Sequence, residues 1–426
     1  PLEYCIARPI TDPTALMKEW DDAINFDYYQ WEGLSENPAE EIDRAPLLPW
    51  RVVQDIKPSL GYGHSGFPVV TYNDYGWFDE FTDINQIRGG GAWGTFHEIG
   101  HNNQQTKYWS WSTLGETTNN LFVFKVANRQ KTVNGNAAWP PTHPALPNMI
   151  PKALAFALDG TKAANGFDGT DARINDPFAR LTPFLQIFDK IPANWGYQGQ
   201  PDGWSFMSEL YKKSRRAPRI SLTDQDKRDF VYETLCDFTH KDWQLFFAAW
   251  GIQISNISIA KKSAAYPLMT QEIWKYNPLT RTGGDTFVDL YSRALWTVTA
   301  TSFSTSEGTN GTANNIIDGN LNTYWHSNYG AGTGPTAPSF TITVDMKRAL
   351  PVKGFTLALR NSGAGVTTVV KNVKVEVSND NTTWTLVPTF TPQTLPNFIT
   401  LAERQGLQDF LLPAPITFRY FRISIP

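Results

Sequence analysis

The chain has 426 residues, 41% of them hydrophobic and 18% charged, which excludes a disordered polypeptide and leaves room for two or three domains of about 150 residues each. The net charge is −4 and no run of Lys or Arg forms a phosphate-binding track, so nucleic acid is excluded as a partner. No apolar stretch of about 18 residues exists, so no transmembrane segment is expected.

Cys5 and Cys236 are the only cysteines, too few for a disulfide-built fold; one disulfide or two free thiols both remain open. The chain starts at Pro1-Leu2-Glu3 without Met or a signal-like segment, and so reads as a fragment or a mature form. In chain order, Pro68–Tyr72 is the first clear strand candidate. Gly89, Gly91 and Gly94 then spell G-x-G-x-x-G. A dinucleotide site is excluded because Asp83–Arg88 is not a buried strand and no βαβ pattern follows. The glycines are better suited to letting backbone approach the next helix closely.

That helix carries His97-Glu98-Ile99-Gly100-His101. On a helix, positions i and i+4 share a face one turn apart, so both imidazoles can reach one metal ion. A hydrolytic zinc site has a third protein ligand and one open position, where zinc acidifies water and Glu98 can take the proton. Glu116 is the best candidate for the third ligand. Fourteen residues separate it from His101, enough for one helix to end and another to begin. Glu116, Asn120, Val123 and Ala127 would share a face of that second helix, although a carboxylate is favoured in a first helical turn with or without a metal. A donor for the developing oxyanion is also required, and no residue declares itself.

Helices dominate the rest of this half. Thr223–Asp226 and Thr239–Asp242 resemble capping boxes, the second placing His240 in a first helical turn, facing solvent. Trp243, Phe246, Phe247 and Trp250 follow as a buried helix face, closed by Gly251. Trp93, Trp109 and Trp111 are expected to pack in a core, and His143 to lie in a loop. Asn277-Pro278 and Gly283-Gly284 punctuate a linker over 276–291. Beyond it, Phe340/Ile342/Val344, Val373/Val375/Val377 and Phe421/Ile423/Ile425 alternate as strands between turns such as Asp318-Gly319 and 378–381.

The segments 64–68, 89–93, 97–104, 116–120 and 246–251 together resemble the enhancin-like, mucin-directed zinc metallopeptidases over residues 1–275. The resemblance implies a gluzincin-type site, with Zn2+ on His97, His101 and Glu116 and Glu98 as general base. It also implies peptide-bond cleavage in O-glycosylated, mucin-type glycoproteins. Residues 318–327, 378–384 and 419–423 resemble discoidin-type domains and family 32 carbohydrate-binding modules over 292–426. That resemblance implies sugar contacts from His326 and Arg360, with Tyr329 as a candidate platform, and a structural Ca2+ held by Asp318 and Thr323.

The expected fold is therefore α+β: a mainly helical zincin-like metallopeptidase domain, a linker, and an all-β discoidin-like sandwich or jelly roll. The expected protein is a secreted or cell-surface one of bacterial type. A glycan-binding adhesin with an inactive peptidase domain, and a zinc protease indifferent to glycans, are the competing readings.

Overall fold

A computed structural model of the chain describes residues 2–193, 201–266, 268–287, 291, 293, 295–320, 322–328, 340–360, 372–387, 393–394 and 408–425. Buried side chains among them gather into two separate cores, one helical and aromatic before residue 288, the other built from strand residues after 343. Helices dominate the first part, beside a small sheet of strands β1 (Val52–Asp55), β2 (Gly63–His64) and β3 (Val69–Tyr72), in the order β1-β3-β2. β3 is parallel to β1 and antiparallel to β2. The expected strand at 68–72 is thus β3, the centre of this sheet.

The helix Trp93–Asn103 carries both histidines of the motif. Its N-cap, Ala92, has no side-chain acceptor, and the helix Tyr75–Thr82, two helices earlier in the chain, supplies one from a distance. Glu80 Oε2 accepts from Thr95 N at 2.8 Å and from Thr95 Oγ1 at 3.2 Å, placing a carboxylate at the positive end of the helix. A Cβ on Gly94 would lie 2.6 Å from the Trp77 ring and 3.0 Å from Glu80 Oε2, so this glycine permits the approach.

A second clamp holds the other face. The helix Pro13–Asp22 continues as a π-helical segment, Ala23–Tyr29, whose wider winding turns Asp27, Tyr28 and Tyr29 inward. Tyr28 donates to Phe96 O at 2.7 Å and stacks on Phe122 at 4.6 Å. Asp27 is wholly buried and pairs with Lys125 at 3.2 Å and Arg129 at 2.6 Å. Burial pushes its carboxyl upward against the pull of both cations. One segment thereby ties the motif helix to the helix Asn120–Asn134.

Two expectations need correction. The second helix begins at Asn120, not at Glu116; residues 112–114 form a 3-10 turn and 115–119 a run of turns. Thr239 caps nothing. It is the last residue of the helix Asp224–Thr239, and its hydroxyl donates back to Leu235 O. His240 closes that helix with a left-handed φ of 51° and stacks on Tyr266 at 5.6 Å, so it is a packed helix terminus. Burial lowers its pKa. The box at Thr223–Asp226 is present, and Trp243, Phe246, Phe247 and Trp250 are buried as expected. Gly251 follows with a φ of 62°.

Cys5 and Cys236 are both free thiols. Residues 276–287 lie against the helical part. Phe287 is buried and stacks on Trp243 at 5.8 Å, and Arg281 sits 4.1 Å over the Trp139 ring.

In the second part, the long strands β5 (Phe340–Leu357) and β9 (Gln408–Ile425) pair antiparallel. Around them lie β4 (Thr297–Ala300), β6 (Asn372–Ser378), β7 (Thr385–Leu386) and β8 (Gln393–Thr394). The sheet order is β4-β5-β9-β6-β7, with β8 beside β6. Alternation places Ile342, Ile423 and Val375 in one cross-strand row and Val344, Phe421 and Val377 in the next, all buried. This antiparallel sheet is the discoidin-type part of the expected architecture. Tyr329 lies outside the described residues.

Removing the cap from the motif helix should be felt across the helical core. Glu80→Ala is expected to cost about 1 kcal/mol and lower the melting temperature by roughly 2–4 °C. Thermal unfolding followed by circular dichroism checks this; an unchanged transition would show that the helix does not need the carboxylate.

Candidate metal centre and sugar-contact cluster

Trp93, His97 and His101 fall at i, i+4 and i+8 on one face of the motif helix. Glu116 comes to them from the turn after the helix. Its Oε2 stands 3.3 Å from His97 Nε2 and 3.2 Å from His101 Nε2. The two rings meet edge to face, with centroids 4.8 Å apart. Among the described residues this is the one His/Cys/Asp/Glu cluster with metal-holding geometry, its ligand atoms all within 4.8 Å of one another.

The turn reaches the helix because Gly100 leaves it room. A Cβ there would lie 2.3 Å from Asn119 O. Behind the contact is a polar network. His97 Nδ1 lies 2.8 Å from Asn120 Oδ1, and His101 Nδ1 lies 2.8 Å from Gln104 Oε1. An amide oxygen only accepts, so each ring can donate to its amide from Nδ1, while each Nε2 faces Glu116 Oε2 and donates to it when the ring is protonated; Asn119 Nδ2 also lies 3.0 Å from His97 Nδ1. Gln104 Nε2 donates to Gly115 O and Thr118 Oγ1, both at 2.7 Å, and Asn120 Nδ2 donates to Glu116 O at 2.8 Å. The side chains that fix the rings thus also fix the turn bearing Glu116. Asn119 Nδ2 lies 3.0 Å from His101 Nε2, on the lone pair a metal would take.

The donor set fits a zinc ion: two imidazole nitrogens and one carboxylate oxygen, with amide oxygens at the far ring nitrogens. Hydrogen bonds from His101 and His97 hold the Glu116 carboxyl far below the usual range. Burial opposes protonation of His101, but Glu116 and Gln104 outweigh it and the net shift is upward.

Glu98 points to the same face but belongs to no such network. It is 8% exposed, and Oε1 lies 4.0 Å from His97 Nε2. Among the described residues its carboxylate makes no hydrogen bond. Burial raises its pKa, with His97 and His101 pulling the other way.

Trp93, Trp109 and Trp111 are buried in the core, as expected. Trp111 Nε1 and Arg228 both reach Asp168, at 2.8 Å each, which anchors the start of the Glu116 loop. His143 is in a loop, as expected, but the loop is seated beside the motif helix: its ring lies 4.7 Å from Trp93 and 4.2 Å from Phe178. Sequence periodicity gave no hint of that placement.

In the second part, His326 and Arg360 converge on Glu307. His326 Nδ1 lies 3.8 Å from Glu307 Oε1, and Arg360 Nη1 4.0 Å from Glu307 Oε2. The Arg360 guanidinium sits 3.8 Å over the Tyr324 ring. Glu307 and Tyr324 were not anticipated as members of this cluster. Tyr324 stands two residues before His326, but Glu307 lies in a Ser-Glu-Gly turn with no motif around it. Asp318 and Thr323 meet each other: Thr323 Oγ1 donates to Asp318 Oδ2 at 2.5 Å, and Asp318 Oδ1 accepts from Asn320 N at 2.9 Å. Among the described residues Asp318 belongs to no group of three His, Cys, Asp or Glu side chains with metal-holding geometry.

A histidine pair on one helix, a carboxylate from the following turn and an unengaged glutamate beside them form the arrangement of a metallopeptidase centre. Residues 6–251 match the family model of peptidase M60, enhancin and enhancin-like, and the chain belongs to that family. Residues 297–426 match the F5/8 type C domain. The chain is 25% identical over 278 residues to a TRPM8 channel-associated factor homolog of Xenopus laevis, covering 64% of this chain and 26% of that protein. It is 24% identical over 282 residues to TRPM8 channel-associated factor 1 of Homo sapiens, with the same coverage. The chain thus spans about a quarter of the length of these relatives. A solved structure of a functionally unknown conserved protein from Bacillus anthracis shares the fold, with a TM-score of 0.50 at 20% identity, covering 66% of this chain and 52% of that one.

Three substitutions test how the site is held. Gly100→Ala is expected to push the Glu116 turn away and weaken zinc binding with the helix intact. Asn120→Ala and Gln104→Ala are each expected to weaken it roughly 10- to 100-fold. Competition against a chromogenic chelator reads both effects, and wild-type affinity in all three variants would refute the assignment.

Proposed function

We propose that the chain is a zinc endopeptidase acting on O-glycosylated, mucin-type glycoproteins outside the cell, with its F5/8 type C domain binding glycans on the same substrates. The observation that carries the reading is Glu98. A nearly buried carboxylate without a hydrogen-bond donor is costly in a purely structural role, yet this one lies beside the histidine pair with a raised pKa. Bound zinc would acidify water and polarise the scissile carbonyl.

The protein's residues supply the rest. His97, His101 and Glu116 hold the ion. Glu98 accepts the proton of the attacking water and returns it to the leaving amine, for which its place beside the histidine pair suits it. Family membership supports peptide-bond hydrolysis. The glycoprotein preference rests on the resemblance to mucin-directed members and on the F5/8 type C domain, whose His326–Glu307–Arg360 cluster offers a bidentate cation and a carboxylate to sugar hydroxyls. Two binding sites on one substrate would raise the effective concentration of the cleaved segment.

The test is digestion of a mucin-type glycoprotein before and after enzymatic removal of its O-glycans. Cleavage of the glycosylated form alone is expected, abolished by a chelator and lowered at least about 1,000-fold by Glu98→Gln. Equal cleavage of both forms would indicate a glycan-indifferent protease. No cleavage, with sugar binding retained, would leave the adhesin reading.

A further inference from the structure

Hydrolysis at this centre needs a hydrogen-bond donor for the carbonyl oxygen as it becomes an oxyanion, and none of the metal-site residues is free to provide one. Two further histidines lie by the site. His64, at the sheet edge beside the motif helix, is saturated: Nδ1 is 2.9 Å from Ser65 O and Nε2 is 3.0 Å from Ser59 Oγ. With its proton on Nδ1, Nε2 accepts.

His143 is the reverse case. Its Nδ1 accepts from Ala145 N at 3.2 Å, which places the ring proton on Nε2. Nε2–H has no partner among the described residues, and the ring is half-buried. Phe178 and Trp93 hold the ring, at 4.2 Å and 4.7 Å. Trp93 precedes His97 by four residues, so the imidazole packs against a ring rooted one turn before a metal-ligand position, near enough to His97 for the two to influence each other electrostatically. Its environment favours the neutral ring, through burial first and the nearby His97 second.

The loop is built into this place. Thr142 N donates to Gly90 O at 2.8 Å. Gly90 has a φ of 76°, and a Cβ on it would fall 2.7 Å from Ala138 O and 3.1 Å from Pro141 Cα. The glycine-rich run before the motif helix therefore seats the loop that carries His143.

We infer that His143 is a catalytic residue, donating its Nε2–H to the substrate carbonyl oxygen as it becomes an oxyanion. This rests on the peptidase reading above. Three variants separate donation from packing: His143→Ala removes both, His143→Phe keeps the aromatic ring without a donor, and His143→Gln restores a donor without the ring. On an O-glycopeptide substrate, Ala and Phe are expected to lower kcat roughly 100- to 1,000-fold with KM little changed, and Gln to recover part of it. Zinc affinity and melting temperature should stay near wild type in Phe and Gln. Recovery by Phe, a loss confined to KM, or a loss of zinc would each overturn the assignment. A peptide phosphoramidate carrying a tetrahedral anion gives a reading that needs no turnover. Calorimetry on the zinc-loaded protein should show binding weakened at least about tenfold in Phe. Equal binding by wild type and Phe would overturn the inference, whereas wild type that binds this analogue without cleaving any glycopeptide would count against the glycoprotein reading alone.

Discussion

The candidate centre depends on one backbone contact. A helix can be approached to atomic contact only where it lacks a side chain, and within the motif that place is Gly100, where a Cβ would lie 2.3 Å from Asn119 O. Because the following turn comes in this close, Glu116 reaches both imidazoles from outside the helix. With any larger residue at Gly100 the turn must retreat, and a carboxylate 3.2–3.3 Å from two Nε2 atoms cannot follow it unaided. The clamps deeper in the core serve the same contact. Tyr28 and Asp27 join the motif helix to the helix that follows Glu116, and Asp168 anchors the loop before it.

The histidine pair was legible because helical spacing converts i and i+4 into proximity without help from the rest of the fold. Glu116 was legible as a ligand type and a distance along the chain, but its local structure was misread. The sequence suggested a helix starting at Glu116; tertiary pins on Ser110, Thr113, Thr117 and Thr118 hold the segment in turns until Asn120. A capping pattern at Thr239 failed for a related reason. The helix before it buries Val231, Tyr232, Leu235 and Cys236, and that packing carries it through to Thr239 before the chain turns at His240. Local signals mark where a helix can start, and burial decides whether it has already ended.

Residues that meet only through tertiary structure left the weakest trace. His143 stands between two prolines and reads as a loop, yet the loop rests on Gly90 and brings its imidazole against Trp93 of the motif helix. Glu307 has no motif at all, but it draws His326, Tyr324 and Arg360 together. Gly89, Gly91 and Gly94 suggested an approach of backbone; side chains of Gln86, Trp77 and Glu80 crowd Gly91 and Gly94, and the backbone approach is at Gly90. What approached it was not visible.

The polar partners of the two histidines bear on the chemistry of the site. Many metal-bound histidines donate to a carboxylate, which makes the ring a stronger base and the metal a weaker Lewis acid. Here both donate to neutral amide oxygens, of Asn120 and Gln104. The formal negative charge close to a bound ion would then be confined to Glu116 and Glu98. Substituting a carboxylate at either amide would add a charge without adding a ligand, opposing the polarisation of the carbonyl and the loss of a proton from water. The amides accept from Nδ1 without adding a charge, and through Gly115, Thr118 and the Glu116 carbonyl they also hold the turn against Gly100. With zinc bound, the same two side chains would serve both the geometry and the Lewis acidity of the site.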